Sequence, residues 1–198
     1  MNLKNLTFDK INSEIENFSI NKNDSYIITY AEFIRYFENF HGKIEIHHLI
    51  ISSHFVYGWM PTVLELQTEL IPEILPYLNA AKSGHIFNLE EILTIKNCIN
   101  NSLVGISKLL HFINPHNYAI WDSRIFRYLT DNKSNYGIDK PSLYLEYLSG
   151  MKEIARHPNY SQFHKKVQSQ FNYSITPMRA IEIVMFEADR RTQKAMKL

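Results

Sequence analysis

Residues 107–129 read SKLLHFINPHNYAIWDSRIFRYL: an apolar helical run, an Asn-Pro-His-Asn break, an apolar approach and a second helical run opened by an aspartate. The spacing decides the fold class. Leu103, Ile106, Leu109, Leu110 and Ile113 recur at intervals of three and four, the period of a helix with one buried face. Asp122 precedes SRIFRYL where a helix N-cap is expected, its carboxylate placed to accept first-turn N–H groups. Pro115 separates the two runs.

The same period runs outward through the chain. Tyr26, Ile27, Tyr30, Phe33, Ile34 and Phe37 share a face in DSYIITYAEFIRYFENF, with Asp24 or Ser25 as its cap. EIHHLIISSHFVYGWM follows the stop at His41-Gly42, and Pro61 is expected to open a further helix that Pro72 and Pro76 break or kink. Asn88 caps NLEEILTIKNCINN, with Glu90 and Glu91 favoured by the dipole of its first turn. TDNKSNYGIDKPS reads as a loop, SLYLEYLSGMKEIARH as an amphipathic helix, and Pro158 as the start of another short one. Thr176-Pro177 opens a last helix apolar on nearly every side from Ala180 to Ala188, which predicts a central, buried element. Only 6 Gly and 7 Pro punctuate 198 residues, so the expected fold is all-α. The expected arrangement is two helical lobes, residues 1–85 and 86–198, flanking a cleft.

Composition narrows the function classes. The first twenty residues hold no signal-peptide core and no run is apolar enough to span a bilayer, so a cytoplasmic protein is expected. The single Cys98 forms no internal disulfide and supplies neither an iron–sulfur cluster nor a Cys-rich zinc site. His47, His48 and His54 show no carboxylate at a recognisable ligand spacing, so no metal is expected. The net charge is +1, but residues 1–100 carry 7 Lys and Arg against 12 Asp and Glu, and the remainder 14 against 8. Such a split suits a chain with one phosphate-facing side.

Lys108 lies about 160° round the wheel from the middle of its helix's apolar stripe, the geometry of a solvated lysine and equally of one facing a cleft. GISKLLHF and AIWDSRIFRYL together resemble the lysine and aspartate segments of the helix-hairpin-helix DNA glycosylases, most closely the branch that removes 8-oxoguanine. The likeness covers residues 102–130, with 14 residues from lysine to aspartate. It implies a base-excision repair enzyme on double-stranded DNA that extrudes an oxidised or modified purine from the stack, with no cofactor. Lys108 would be the nucleophile at the sugar C1′, giving a Schiff base and AP-lyase capacity, and Asp122 would stabilise the developing charge.

The hairpin glycines of that family approach a phosphate. Here Gly105 stands alone, and Gly105, Ser107 and Arg124 are the expected DNA contacts. Tyr57 and Trp59, flanking Gly58 beside Met60, either stack on an extruded base or pack a corner, His111 is either a cleft residue or a helix-surface histidine, and Phe112, close to Lys108 on the wheel, is expected to wall the same cleft. Arg179 and Glu182 read as an internal ion pair. Arg190, Arg191, Lys194 and Lys197 suit a helix carboxyl end or a DNA backbone. The competing reading is a catalytically inactive helical module that binds DNA or a protein, or a defence component acting on modified bases.

Overall fold

The computed structural model describes residues 2–60 and 62–196, so the expected helix start at Pro61 and the cation Lys197 lie outside the described residues. Among them are ten α-helices and no strand: α1 Phe8–Asn12, α2 Ser25–Glu38, α3 Ile46–Trp59, α4 Ile71–Lys82, α5 Leu89–Cys98, α6 Leu103–Ile113, α7 Ser123–Thr130, α8 Pro141–Ala155, α9 Tyr160–Gln168 and α10 Pro177–Ala195. The expected all-α fold is the observed one.

The starts follow local chemistry. Asp24 accepts from Tyr26 N at 3.0 Å, and Asn88 accepts from Glu90 N and Glu91 N while Glu91 returns a bond to Asn88 N, a complete capping box. Thr176 caps α10 through Arg179 N. Proline behaves differently from the expectation in α4. Pro72 lies at the start of that helix, where its missing N–H costs nothing, and Pro76 sits inside the helix without ending it.

Every residue of α10 from Met178 to Asp189 is buried, and α7, α8, α9 and α1 pack round it. The amino-terminal segment joins this group rather than α2–α4. Asn5 N donates to Leu129 O, Phe8 stacks on His157 at 3.8 Å, and Arg191 pairs with Glu14 at 2.9 Å. The expected division near residue 85 thus does not separate residues 3–17 from the carboxyl-terminal helices.

The tight connection between α5 and α6 is residues 99–102, upstream of the expected glycine turn. Asn100 and Asn101 adopt φ 52° and 47°, the left-handed conformation that asparagine tolerates better than most residues. Asn100 is also bound to the segment before α4: its N–H donates to Glu65 O, and its side chain accepts from Glu65 N and donates to Val63 O. Gly105 lies inside α6 with no room for a side chain, because a Cβ there would run into the Tyr57 ring, itself 2% exposed. Gly105→Ala is expected to cost about 1–3 kcal/mol by overpacking, and removal of the opposing hydroxyl in Tyr57→Phe should recover part of it. Thermal melts of the two single variants and the double variant check this. Additive losses would refute the contact.

Candidate functional site

Residues 118–121, which lead from α6 to α7, lie outside any helix and are buried, and side chains satisfy their backbone carbonyls in turn. His111 Nδ1–H donates to Tyr118 O at 2.7 Å, Tyr144 O–H to Ala119 O at 3.1 Å and Tyr147 O–H to Ile120 O at 3.1 Å. Ser107 completes the series. Its hydroxyl accepts from Trp121 N at 3.0 Å, and its single proton is shared between Val104 O at 2.9 Å and Trp121 O at 3.1 Å. Irregular backbone is stable in a core only when its polar groups are paired this way.

Ser107 is the neighbour of Lys108, and Trp121 is the neighbour of Asp122. The bonds between them tie the backbone that carries the lysine to the backbone that carries the aspartate. Asp122 caps α7 as expected, Oδ1 accepting from Arg124 N at 2.9 Å and from Ile125 N at 3.1 Å. Its charge acts on Lys108, as does that of Glu182.

Lys108 is 8% exposed, with Nζ 5.5 Å from the Trp59 ring centroid and no ion-pair partner among the described residues. The wheel left its surroundings open because it describes one helix, whereas α2, α3 and α4 cover the remaining faces of α6. Burial pulls the ammonium below the usual lysine range, opposed by Asp122 and Glu182. A desolvated lysine without an ion-pair partner, acted on by the charge of a carboxylate, is a candidate nucleophile on physical grounds alone.

Other expected site residues fall elsewhere. Ser107 is fully buried and serves as the clamp just described, so it is not a DNA contact. Gly105 gives its N–H to Ser102 Oγ at 3.2 Å, and Asp139 Oδ1 accepts from Leu103 N at 2.9 Å, so a carboxylate of this chain already takes up an N–H at the start of α6. Gly105 is therefore a packing glycine. Tyr57 and Phe112 are core residues, Phe112 lying edge-on to Trp59 at 5.4 Å. Arg124 reaches back to Asp189 at 3.2 Å, beside the tighter pair of Arg127 with the same carboxylate at 2.7 Å. Among the tail cations, Arg190 pairs with Asp24 and Glu187 and Arg191 with Glu14.

His111 is fully buried and holds a fixed tautomer. Nδ1–H donates to Tyr118 O, so Nε2 accepts the Tyr30 hydroxyl at 2.9 Å. Burial pushes its pKa down to about 3. With the folded value below the unfolded one near 6.5, the unfolded chain binds the extra proton, and stability falls as pH drops from about 6.5 toward 3. The expected loss is about 2 kcal/mol at pH 5, read from denaturant midpoints. An unchanged acid limb in His111→Gln would assign the loss to other groups.

Three residues emerge that the sequence reading did not place at the site. Arg179 and Glu182 form the internal ion pair expected of them, both fully buried, yet Arg179 Nε and Nη2 and Glu182 Oε1 have no partner among the described residues. Burial raises the Glu182 carboxyl above its ordinary range, with Arg179 pulling the other way. Tyr26 stacks on Trp59 with ring centroids 4.3 Å apart, and its hydroxyl is buried. The sequence signal for Arg179 and Glu182 was a charged pair on an otherwise apolar helix. For Tyr26 there was none beyond its place on an apolar stripe.

Metal ligation has one geometric candidate among the described residues. Glu45 supplies the carboxylate that the histidine spacing did not reveal, its Oε2 lying 3.6 Å from His47 Nδ1 with His48 adjacent. His48 Nδ1 is already engaged, accepting from Glu45 N in the cap of α3.

Fold and site together define an all-α protein that buries a lysine without an ion-pair partner among the described residues, within the electrostatic reach of the capping Asp122 and the buried Glu182. No family model matches the chain, and neither does any curated protein or solved structure.

Proposed function

We propose that this chain is a DNA N-glycosylase with AP-lyase capacity that excises an oxidised or modified purine such as 8-oxoguanine. The observation that supports the reading is a desolvated Lys108 without an ion-pair partner among the described residues, on which the charge of Asp122 acts, with the Ser107–Trp121 bonds joining the two segments. The likeness of GISKLLHF and AIWDSRIFRYL to the lysine and aspartate segments of the 8-oxoguanine branch supplies the reaction class.

In this reading the neutral Lys108 amine attacks C1′ of an extruded nucleotide. The new C–N bond forms as the C1′–N9 bond breaks, its electron pair leaving with the base, which takes up a proton. Loss of a proton from the lysine nitrogen and opening of the sugar ring give the Schiff base. Asp122 stabilises the cationic sugar as the base departs. The buried Glu182 carboxyl, raised toward neutrality, is suited to supply the proton the base needs.

Duplex binding would rest on side chains rather than on the α5–α6 turn, because Asp139 and Glu65 already take N–H groups there. That feature favours the binding-module reading in one respect, since it weakens the usual phosphate grip. The deciding experiment is borohydride trapping on duplex DNA carrying 8-oxoguanine or an abasic site. A covalent adduct supports the enzyme. A folded protein that binds DNA yet gives neither adduct nor base release across a lesion panel is the module.

A further inference from the structure

The Tyr26 ring lies between two others. Trp59 stacks on one side at 4.3 Å and 9° between planes, and Phe186 on the other at 5.1 Å and 3°. The three rings come from α2, α3 and α10, so no local sequence rule produced the alignment. A tyrosine between two parallel aromatics occupies the space a stacked planar ligand would take.

The surroundings are unusual for a simple core. Trp59 Nε1, the Tyr26 hydroxyl, Arg179 Nε and Nη2 and Glu182 Oε1 are all buried without partners among the described residues, and Arg179 Cζ lies 4.0 Å from the Tyr30 ring centroid and 5.5 Å from that of Tyr26. Buried donors and acceptors left unpaired cost about 1–3 kcal/mol each, so their concentration round one slot points to a ligand that pairs with them. A purine has that chemistry, with a stacking face and both donors and acceptors along its edges. Lys108 Nζ stands over the Trp59 ring that forms one wall.

The slot also has a means of opening. Tyr26 is in the first turn of α2, two residues after the capping Asp24, and both Tyr26 and Trp59 retain partial exposure. That turn is fastened to α10 through Asp24 and Arg190 at 2.8 Å, a pair whose arginine is 46% exposed, where ion pairs contribute little. The preceding residues 18–24 are non-helical.

We propose that the Trp59–Phe186 slot binds an extruded purine and that Tyr26 is its resident plug, displaced with the first turn of α2 when the base enters. The identity of the ligand as a nucleobase rests on the glycosylase reading, but binding requires no chemistry and is tested apart from it. The probe is the free nucleoside 8-oxo-2′-deoxyguanosine, followed by Trp59 fluorescence, with Trp59→Phe identifying the signal and thymidine as the size control.

Removing a plug that is closed about nine-tenths of the time tightens apparent affinity about tenfold. Tyr26→Ala is therefore expected to bind the purine nucleoside about tenfold more tightly than the wild type, Tyr26→Phe equally to it, and thymidine to neither. In the wild-type protein, saturating nucleoside should increase amide hydrogen exchange at residues 24–28, a readout that stands if Tyr26→Ala fails to fold. Equal affinities in the wild type and a folded Tyr26→Ala, or exchange at 24–28 unchanged or slowed by the nucleoside, would overturn the plug. Nucleoside binding with these signatures and no borohydride adduct on lesion DNA would keep the slot and reject the enzyme. An adduct without them would keep the enzyme and reject the slot.

Discussion

Lys108→Gln is expected to abolish the borohydride-trapped adduct and to lower base release at least about a thousandfold, the scale on which an essential nucleophile is lost. Folding should survive, because the substitution removes a desolvated ammonium that has no ion-pair partner among the described residues. Lys108→Met should be at least as stable as the wild type at pH 7, the signature of a residue kept for chemistry at the expense of stability. With burial pulling its pKa down, the neutral fraction of Lys108 rises with pH through a range below that of a free lysine, and trapping should accelerate over the same range.

Asp122→Asn separates chemistry from capping. Asparagine is as good an N-cap as aspartate, so the bonds to Arg124 N and Ile125 N survive while the charge is lost. Base release is expected to fall about a hundredfold with an unchanged melting temperature. An adduct that persists in Lys108→Gln would remove Lys108 from the mechanism altogether.

Glu182→Leu and Arg179→Met, made singly, are expected to be the most destabilising changes in the chain. Both side chains are fully buried, and deletion of either leaves the other charge uncompensated, at about 3–5 kcal/mol. For a protein of this size that lowers the melting temperature by about 10 °C. The double replacement Arg179→Met with Glu182→Leu removes both charges together and should recover most of the loss. Losses in the double variant as large as the sum of the singles would mean that the two groups do not act as a pair. The recovered double variant should still lack base release, because the polar groups round the slot would be gone.

How much of this was legible depended on the range of the interaction concerned. Asn88, Asp122 and Thr176 were readable as caps because a cap bonds to N–H groups two or three residues away. The burial of α10 followed from an apolar composition that leaves no face for water. Gly105 was misplaced for a related reason: a lone glycine suggests a turn, whereas this one makes room for Tyr57, and the left-handed turn falls to Asn100 and Asn101. Ser107 and His111 looked like surface or cleft residues because nothing in their own helix shows that the backbone of residues 118–121 runs beside them and takes their hydrogen bonds.

By itself the sequence determined the all-α class, the caps at Asp24, Asn88, Asp122 and Thr176, the buried last helix and the presence of a lysine and an aspartate on either side of a short break. These are consequences of periodicity and capping, which act within a turn or two of helix. Only the tertiary structure decided that Lys108 is buried, that Ser107 is bonded to the backbone of Trp121, and that Tyr26 lies between Trp59 and Phe186. Each of those depends on which faces of α2, α3, α6 and α10 meet, and that is set by packing the whole core at once.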